Sequence, residues 1–387
     1  MKFFIVCPLG WEKEVAEEMR EVWPYLLGVD ARLHQTLFPD IEIQKGGITF
    51  KAELAQAIGL LHWMKLPSRI LLRVDSWKAK DFPEFVRRLK KIDWQPLLGK
   101  KKPSSHWKIQ ASESRLNNEK RLLACVEEVY SKPVQITDPE IYLRMHQDTV
   151  TISIDLAGEH LHKRGIATQK SDAPVRETIA AYILRKMIED TPPGYTQNIR
   201  LIDPTCGAGT LLIEAATLYQ PNFSRGFEYS KLTATPKLFK INGWEKNYQK
   251  IIKPFSLFKS YEGFDISEKQ IQAAKQNAAG FAINFAVQDV LDSQKLDGRN
   301  WVICNPPYGE RVTGLNIVKM FSSCCEAYHP ERLGFLIPPK MVKSLEEYIG
   351  KQGSAEYQIT KKIPISNGGI RTEFVVIQLN EKWAAKA

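Results

Sequence analysis

The sequence predicts an α/β protein: a mostly parallel sheet with an antiparallel C-terminal hairpin, preceded by an α+β region. Three observations predict it. Strands alternate with helices from about residue 171 onward, the mark of a parallel sheet with helical crossovers. The first ~160 residues instead form a succession of short α+β units. The length of 387 residues exceeds one ordinary core and fits two or three domains of roughly 100–200 residues each. With 43% hydrophobic and 25% charged residues the composition is globular. No apolar run approaches the ~18–20 residues of a membrane span, and the opening MKFFIVC reads as a first strand, not a leader. A soluble, cytoplasmic chain is expected.

In order, residues 2–7 read as a strand. Trp11, Val15, Met19 and Val22 follow at helical spacing. Ile41, Ile43, Ile48 and Phe50 lie in strand-like runs on either side of a Gly46-Gly47 turn. Ile70, Leu72 and Val74 alternate with polar neighbours as in a half-buried strand. Phe82, Phe85, Val86, Leu89 and Ile92 make an amphipathic helix whose other face carries Arg87, Arg88, Lys90 and Lys91. A strand at 106–111, a helix at 118–130 and a strand through Val150, Ile152 and Ile154 complete this half.

In the second half, Arg200–Asp203 closes a strand and Gly209–Leu218 begins a helix. Gly263–Asp265 closes another strand, and Ser267 with Gln270 has the spacing of a reciprocal capping box. Ala286–Asp289, Trp301–Cys304 and Leu333–Ile337 are further strand ends. Ile359–Ile365, the turn at Asn367-Gly368-Gly369 and Thr372–Leu379 form the closing hairpin. Residues 220–260, lysine-rich and weakly periodic, read as an insertion.

The net charge of +10 is concentrated. Between Lys65 and Arg121 there are 16 Lys/Arg against 6 Asp/Glu, and the rest of the chain is neutral with 38 of each. Such a stretch beside Trp77, Trp94 and Trp107 points to nucleic acid, because neutralising phosphates is the main source of nucleic-acid affinity. The six cysteines have no C-x-x-C spacing, and His160 with His162 is the only pair with a semblance of a metal site; no metal is expected.

The strongest chemical signal is Leu201-Ile-Asp-Pro-Thr-Cys-Gly-Ala-Gly-Thr210, a buried strand entering a glycine turn and then a helix. Gly207 and Gly209 let backbone approach a ligand closely. The turn lacks the Lys-Ser/Thr ending of a phosphate loop and the G-x-G-x-x-G of dinucleotide folds. It gains meaning from Asp265, Asp289 and Asn305-Pro306-Pro307-Tyr308 at later strand ends, because ligands of open α/β sheets bind where those ends converge.

On these residues the chain resembles the class I S-adenosylmethionine-dependent methyltransferases, with their Rossmann-like sheet. The resemblance implies S-adenosylmethionine as cofactor, held by Asp203, Thr205, Gly207, Gly209, Thr210, Asp265, Asp289 and Asn305. Asp265 would accept from the ribose hydroxyls and Asp289 would lie beside the adenine. Asn305-Pro306-Pro307-Tyr308 resembles the (D/N)-P-P-Y motif of enzymes that methylate amines on planar rings, and implies a catalytic role for these four residues. An exocyclic amine is conjugated and poorly nucleophilic, so acceptors that orient its N–H bonds turn its lone pair outward. Tyr308 would stack an extruded base.

The continuation Gly309-Glu310-Arg311, the segment Leu161-His162-Lys163-Arg164-Gly165 with Ala173, Pro174 and Glu177, and the closing SNGGIRTEF resemble the THUMP-domain RNA methyltransferases, especially the large-subunit (23S) ribosomal RNA guanine-N2 type. That resemblance implies a ferredoxin-like α+β part at 1–60, a THUMP-like RNA-binding domain at 61–160 and a methyltransferase domain at 161–387. RNA contacts are expected from Arg87, Arg88, Lys90, Lys91, Lys163 and Arg164. Three alternatives stand beside guanine-N2 methylation of ribosomal RNA: adenine-N6 methylation of RNA or DNA, guanine-N2 methylation of transfer RNA, and an inactive RNA-binding protein.

Overall fold

The computed structural model describes residues 1–26, 38–169, 175–240, 245–246, 256–307, 316–351 and 356–380. The chain forms two compact units: Met1–Lys163 with Pro221–Lys253, and Arg164–Gln220 with Pro254–Ala387.

The first unit is built on one sheet of β1 (Lys2–Val6), β2 (Ile41–Gln44), β3 (Gly47–Lys51), β4 (Arg69–Lys78), β5 (Trp107–Ser112), β6 (Ile141–His146) and β7 (Thr149–Asp155), in spatial order β2-β3-β1-β4-β7-β6-β5. All pairings are antiparallel except β5 with β6. The expected 1–60 and 61–160 parts therefore share a single sheet, joined where β4 pairs with β1 on one side and β7 on the other. Alternation decides which side is core. Phe50, Phe3, Leu72, Ile154, Ile141 and Trp107 lie directly opposite one another across six strands and are all buried. The helices α1 (Glu12–Leu26), α2 (Leu54–Trp63), α3 (Phe82–Leu89) and α5 (Glu119–Tyr130), with the short α4 (Gln95–Leu98), belong to the same unit. In α1 the stripe Val15, Met19 and Val22 is buried as its spacing predicts, and Phe85 of α3 stacks on Trp77 of β4 at 6.3 Å.

The second unit begins with α6 (Glu177–Ile188), β8 (Arg200–Asp203) and α7 (Thr210–Thr217). The chain then returns to the first unit for residues that include α8 (Lys237–Lys240). It re-enters with β9 (Ser260–Asp265), α9 (Glu268–Asn277), β10 (Asn284–Val287), β11 (Asn300–Cys304), α10 (Ile317–Tyr328), β12 (Arg332–Ile337), α11 (Pro339–Lys351), β13 (Tyr357–Asn367) and β14 (Ile370–Leu379). The strand order is β10-β9-β8-β11-β12-β14-β13; the first five are parallel, and the β13–β14 hairpin adds the expected antiparallel edge.

The run 161–387 is thus not continuous: residues 221–253 pack with the first unit. Specific bonds hold them there. Arg225 donates to the carbonyls of Ala157, Glu159, His160 and Lys163 while its guanidinium lies 4.9 Å from the Phe227 ring centroid. Buried His62 of α2 donates from Nδ1 to the Asn222 carbonyl at 2.7 Å, which leaves Nε2 to accept from the Tyr229 hydroxyl at 2.9 Å. Burial, only partly offset by the Asn222 bond and reinforced by the positive charges of Lys65 and Arg225, pulls its pKa down to about 3.

Candidate active site

The strand order creates the site. From β8 the chain adds β9 and β10 on one side, then crosses back to add β11 on the other. At that switch the loops after β8, β9 and β11 diverge and leave a crevice beyond their carboxyl ends. Asp203 ends β8, Asp265 ends β9, and Asn305 follows β11.

The loop after β8 is shaped for close approach. Gly207 and Gly209 have φ of +53° and +86°, a region where other residues are strained. A Cβ on Gly209 would also lie 3.1 Å from the Phe285 ring. Asp265 fixes this loop from β9: one carboxylate oxygen accepts from the Gly207 amide at 3.0 Å, the other from the Ser267 amide at 2.9 Å. Ser267 caps α9 through the Gln270 amide, but among the described residues buried Gln270 Oε1 makes no hydrogen bond and the expected reciprocal half of that capping box is not formed. Thr210 starts α7, and Asp289 caps a 3₁₀ turn by accepting from Leu291 at 2.9 Å.

Asp203 is 1% exposed and accepts from the Thr205 amide at 3.1 Å. Burial, partly offset by that bond, raises its pKa well above the usual carboxylate range, and the negative charge of Asp265 adds to the rise. The Thr205 hydroxyl meets the Cys304 thiol at 3.2 Å. Burial pushes the Cys206 and Cys304 thiols far up, so they act as small apolar groups. Two carboxylates facing a glycine cradle suit a ligand that carries positive charge, as a sulfonium with an α-ammonium does.

Past β11, Pro306 is buried and Asn305 and Pro307 are partly buried. Asn305 Oδ1 is buried and accepts no hydrogen bond among the described residues. Leaving such an acceptor unpaired costs about 1–3 kcal/mol. Tyr308 and the continuation Gly309-Glu310-Arg311 lie outside the described residues, as do Ala173 and Pro174.

Of the residues expected to touch RNA, Arg87, Arg88, Lys90 and Lys91 are exposed on α3 and just after it, and exposed Lys163 pairs with Glu159 at 2.8 Å. Arg164 departs from that expectation. It is 4% exposed, and its Nε and Nη2 donate to the two carboxylate oxygens of Glu214 in α7 at 3.2 and 3.4 Å. A guanidinium buried on a carboxylate anchors α7 and is not presented to phosphate. Burial, with the charge of Glu214 nearby, raises the pKa of the neighbouring Glu177.

Sequence reasoning missed Asn277. At the end of α9 it is 3% exposed and makes four hydrogen bonds: Oδ1 accepts from the Thr168 and Gln169 amides, and Nδ2 donates to the Gln169 and Ala208 carbonyls, all at 2.9–3.0 Å. It ties the Gly207-Ala208-Gly209 turn to the segment after Arg164. The available signal was an amide that continues the three-residue spacing of Ile271 and Ala274 along the apolar stripe of its helix.

A seven-stranded sheet of this order, with acids at the ends of β8 and β9 and a glycine turn between them, defines a class I methyltransferase. A family model described as UPF0020, RMKL-like, methyltransferase domain, matches residues 164–359. The chain belongs to that family, and its cofactor is S-adenosylmethionine. It is 26% identical to YpsC of Bacillus subtilis (strain 168), named as an RNA methyltransferase, over 95% of this chain and 93% of that one. It is 32% identical to the ribosomal RNA large subunit methyltransferase K/L of Alteromonas mediterranea over 76% of this chain. The match covers 45% of that relative, so this chain spans about half the length of the K/L proteins. Among solved structures, one from Listeria monocytogenes described as an N6-adenine-specific DNA methylase superposes with TM-score 0.70 at 24% identity, covering 96% of this chain and 95% of that one. TrmN from Thermus thermophilus superposes with TM-score 0.62 at 17% identity, covering 98% and 99%. At these identities the likeness speaks for the fold. Among the described residues no group of His, Cys, Asp or Glu is placed to hold a metal, and no helix is long and apolar enough to cross a membrane.

Proposed function

We propose that this chain methylates the exocyclic N2 amine of a guanine in RNA, in large-subunit (23S) ribosomal RNA. The observation that carries this reading is the buried Oδ1 of Asn305 directly after β11, which accepts no hydrogen bond among the described residues. An orphaned acceptor in that place suits a donor that arrives with the substrate. The names of the YpsC and K/L relatives support RNA as that substrate. S-adenosylmethionine supplies the methyl group on a sulfonium, already activated for attack.

The residues of the chain do the rest. Asp265 accepts from the ribose hydroxyls with the lone pairs that its two backbone donors leave free. Asp203 would face the positive end of the cofactor and Asp289 would lie beside its adenine, with Thr205, Gly207, Gly209 and Thr210 forming the turn that would hold it. The Asn305 Oδ1 and the Pro306 carbonyl accept the two N–H bonds of the amine, which directs its lone pair at the methyl group. Pro306 and Pro307 keep that backbone rigid. Tyr308 is assigned the role of stacking the extruded base on the strength of the motif alone. As the N–C bond forms the S–C bond breaks, and its electron pair remains on sulfur. The acidified nitrogen then loses a proton to water at the Asn305–Pro306 carbonyls. No strong base is required, because most of the acceleration comes from alignment.

The test is methyl transfer to ribosomal RNA lacking the modification, read by mass spectrometry of the nucleosides. N2-methylguanosine is the expected product. N6-methyladenosine would overturn the base assignment, and transfer only to transfer RNA would overturn the ribosomal one. Cofactor binding in calorimetry without turnover on any RNA would mark a non-catalytic RNA-binding protein.

A further inference from the structure

The face of the first unit's sheet opposite its helices carries a line of cations. Register places Lys51 of β3, Lys2 of β1, Arg73 of β4, Ser153 of β7, Tyr142 of β6 and Lys108 of β5 directly opposite one another. This line is one residue along from the buried line of Phe50, Phe3, Leu72, Ile154, Ile141 and Trp107. Successive side chains alternate, so it projects from the other face. The next line on that face holds Ser76, Thr151, Arg144 and Gln110, and the one beyond begins with Lys78. Lys2, Lys51, Lys78, Lys108 and Arg144 are exposed and Arg73 is half-buried, whereas Ser153 and the preceding line on this face, Thr49, Phe4, Leu71 and Asp155, are buried, so the open part of the face runs from the Lys2 line toward Lys78.

The nearby carboxylates leave most of this charge uncompensated. Asp155 is buried against Arg69, Glu140 pairs with Lys108 at 2.8 Å, Asp75 sits at the register shift of β4, and Glu42 lies on the edge strand β2. Among the described residues Lys2, Lys51, Arg73 and Arg144 make no ion pair. Arg73 is held flat, 4.3 Å from the Phe4 ring centroid, with Nη1 donating to the Ser153 hydroxyl at 2.9 Å. Its burial, together with the positive charge of Arg144, pulls its pKa down to about 10. Two guanidinium groups that repel each other with no carboxylate between them are stabilised by an anion placed there.

We propose that this open sheet face, centred on Arg73 and Arg144, binds the phosphodiester backbone of single-stranded RNA. The proposal rests on the RNA reading above and gives it a surface. Charge complementarity selects the occupant. A line of six strands spans roughly 24 Å at ~4.8 Å per strand, enough for a short extended oligonucleotide. Sheet twist turns that line into a curved path, which a flexible single strand follows better than a stiff duplex. The fixed guanidinium plane of Arg73 and the hydroxyls of Ser76, Thr151 and Tyr142 add stacking and hydrogen-bonding partners. The α3 cations are a separate set, since α3 packs through Phe85 on Trp77 at the buried face.

The experiment measures binding of a fluorescein-labelled 12-nucleotide oligouridine across a salt series. The proteins compared are the full chain, Lys2→Glu/Lys51→Glu/Arg144→Glu and Arg87→Glu/Arg88→Glu/Lys90→Glu/Lys91→Glu. The sheet-face variant is expected to bind about tenfold more weakly at moderate salt, and to lose about 2 from the slope of log K against log salt, at ~0.7 per phosphate contact. Its glutamine counterpart should show a smaller loss, and both should keep wild-type cofactor affinity, which checks the fold. Unchanged affinity and slope in the sheet-face variant overturns the proposal. If the α3 variant alone loses binding, RNA recognition stands and its surface is the helix. If the wild-type chain fails to bind oligouridine or ribosomal RNA, the RNA reading fails as well. Tighter binding of a 12-base-pair RNA duplex, or equal binding of polyglutamate, overturns the single-stranded assignment.

Discussion

In the second unit the central strands β11 and β12 are buried along their whole length, so both faces of that sheet are covered and a ligand finds openings only at strand ends. In the first unit helices cover one face, while the other buries the line of Thr49, Phe4, Leu71 and Asp155 and over the rest presents lysine, arginine and hydroxyl side chains. Parallel strands joined by crossovers enforce the first arrangement, because the crossovers are themselves the covering layers. An antiparallel sheet carries no such requirement and can give a face to solvent. The comparison teaches that sheets of seven strands each place their chemistry differently: a few converging groups with shifted protonation at an end, or many separate charges spread over a face.

The sharpest way to break that contrast is at Asn305. Asn305→Ala removes one preorganised acceptor and should lower kcat about 10²–10³-fold in single-turnover transfer, while RNA affinity is kept. Asn305→Asp keeps an acceptor and should retain measurable activity. A wild-type rate for the alanine variant would make the loop structural. Asp265→Ala should weaken S-adenosylmethionine binding by roughly 3–6 kcal/mol, at ~1.5–3 for each of two bonds to a charged group. Calorimetry checks it, and unchanged affinity would remove Asp265 from the ribose.

Two buried titratable groups extend the comparison to pH. His62 has a folded pKa of about 3, below its ordinary 6.5, so the unfolded chain binds the extra proton first. The first unit is then fully stabilised by His62 above pH 6.5 and loses that contribution as pH falls, by ~2 kcal/mol at pH 5. Denaturation of wild type and His62→Gln at pH 7 and pH 5 measures it, and the variant should lack that increment. Asp203 has the opposite sign. Its raised folded pKa means that ionisation at neutral pH costs stability, and a bound cation relieves that cost. Asp203→Asn keeps the Thr205 bond, so it should raise the melting temperature of the free protein at pH 7 by about 2–4 °C and weaken cofactor binding. A lower melting temperature, or unaltered affinity, would contradict this account.

The sequence carried the core of the second unit because its signals are local. Asp203, Gly207 and Gly209 sit within seven residues, Asn305 follows an apolar run, Asp265 lies just before the helix-start signal of Ser267, and the hairpin announces itself at Asn367-Gly368-Gly369. Alternation and helical spacing also found most strands and helices of the first unit, including α3 with the four cations on it and just after it, but not β6 or the short α4. These patterns are properties of a chain segment and need no partner to be read.

Tertiary structure decided whatever depends on residues far apart. Arg164 reads as one more cation until Glu214, fifty residues on, buries it. Residues 220–260 read as an insertion, yet within them 221–253 join the first unit, where Arg225 finds its four carbonyls at 157–163 and His62 its partners at 222 and 229. The amide of Asn277 serves residues 69 and 108–109 positions away. The line from Lys51 through Lys2 and Arg73 to Lys108 exists only once register sets strands from distant segments side by side. Sequence therefore determined which face of each element is apolar and which residues end the parallel strands, since periodicity and turn chemistry act over a few residues. The partner of each buried charge, the unit that the returning segment joins and the surface on which separate cations add up were settled by packing, where desolvation makes every buried polar group find its counterpart wherever the chain brings it.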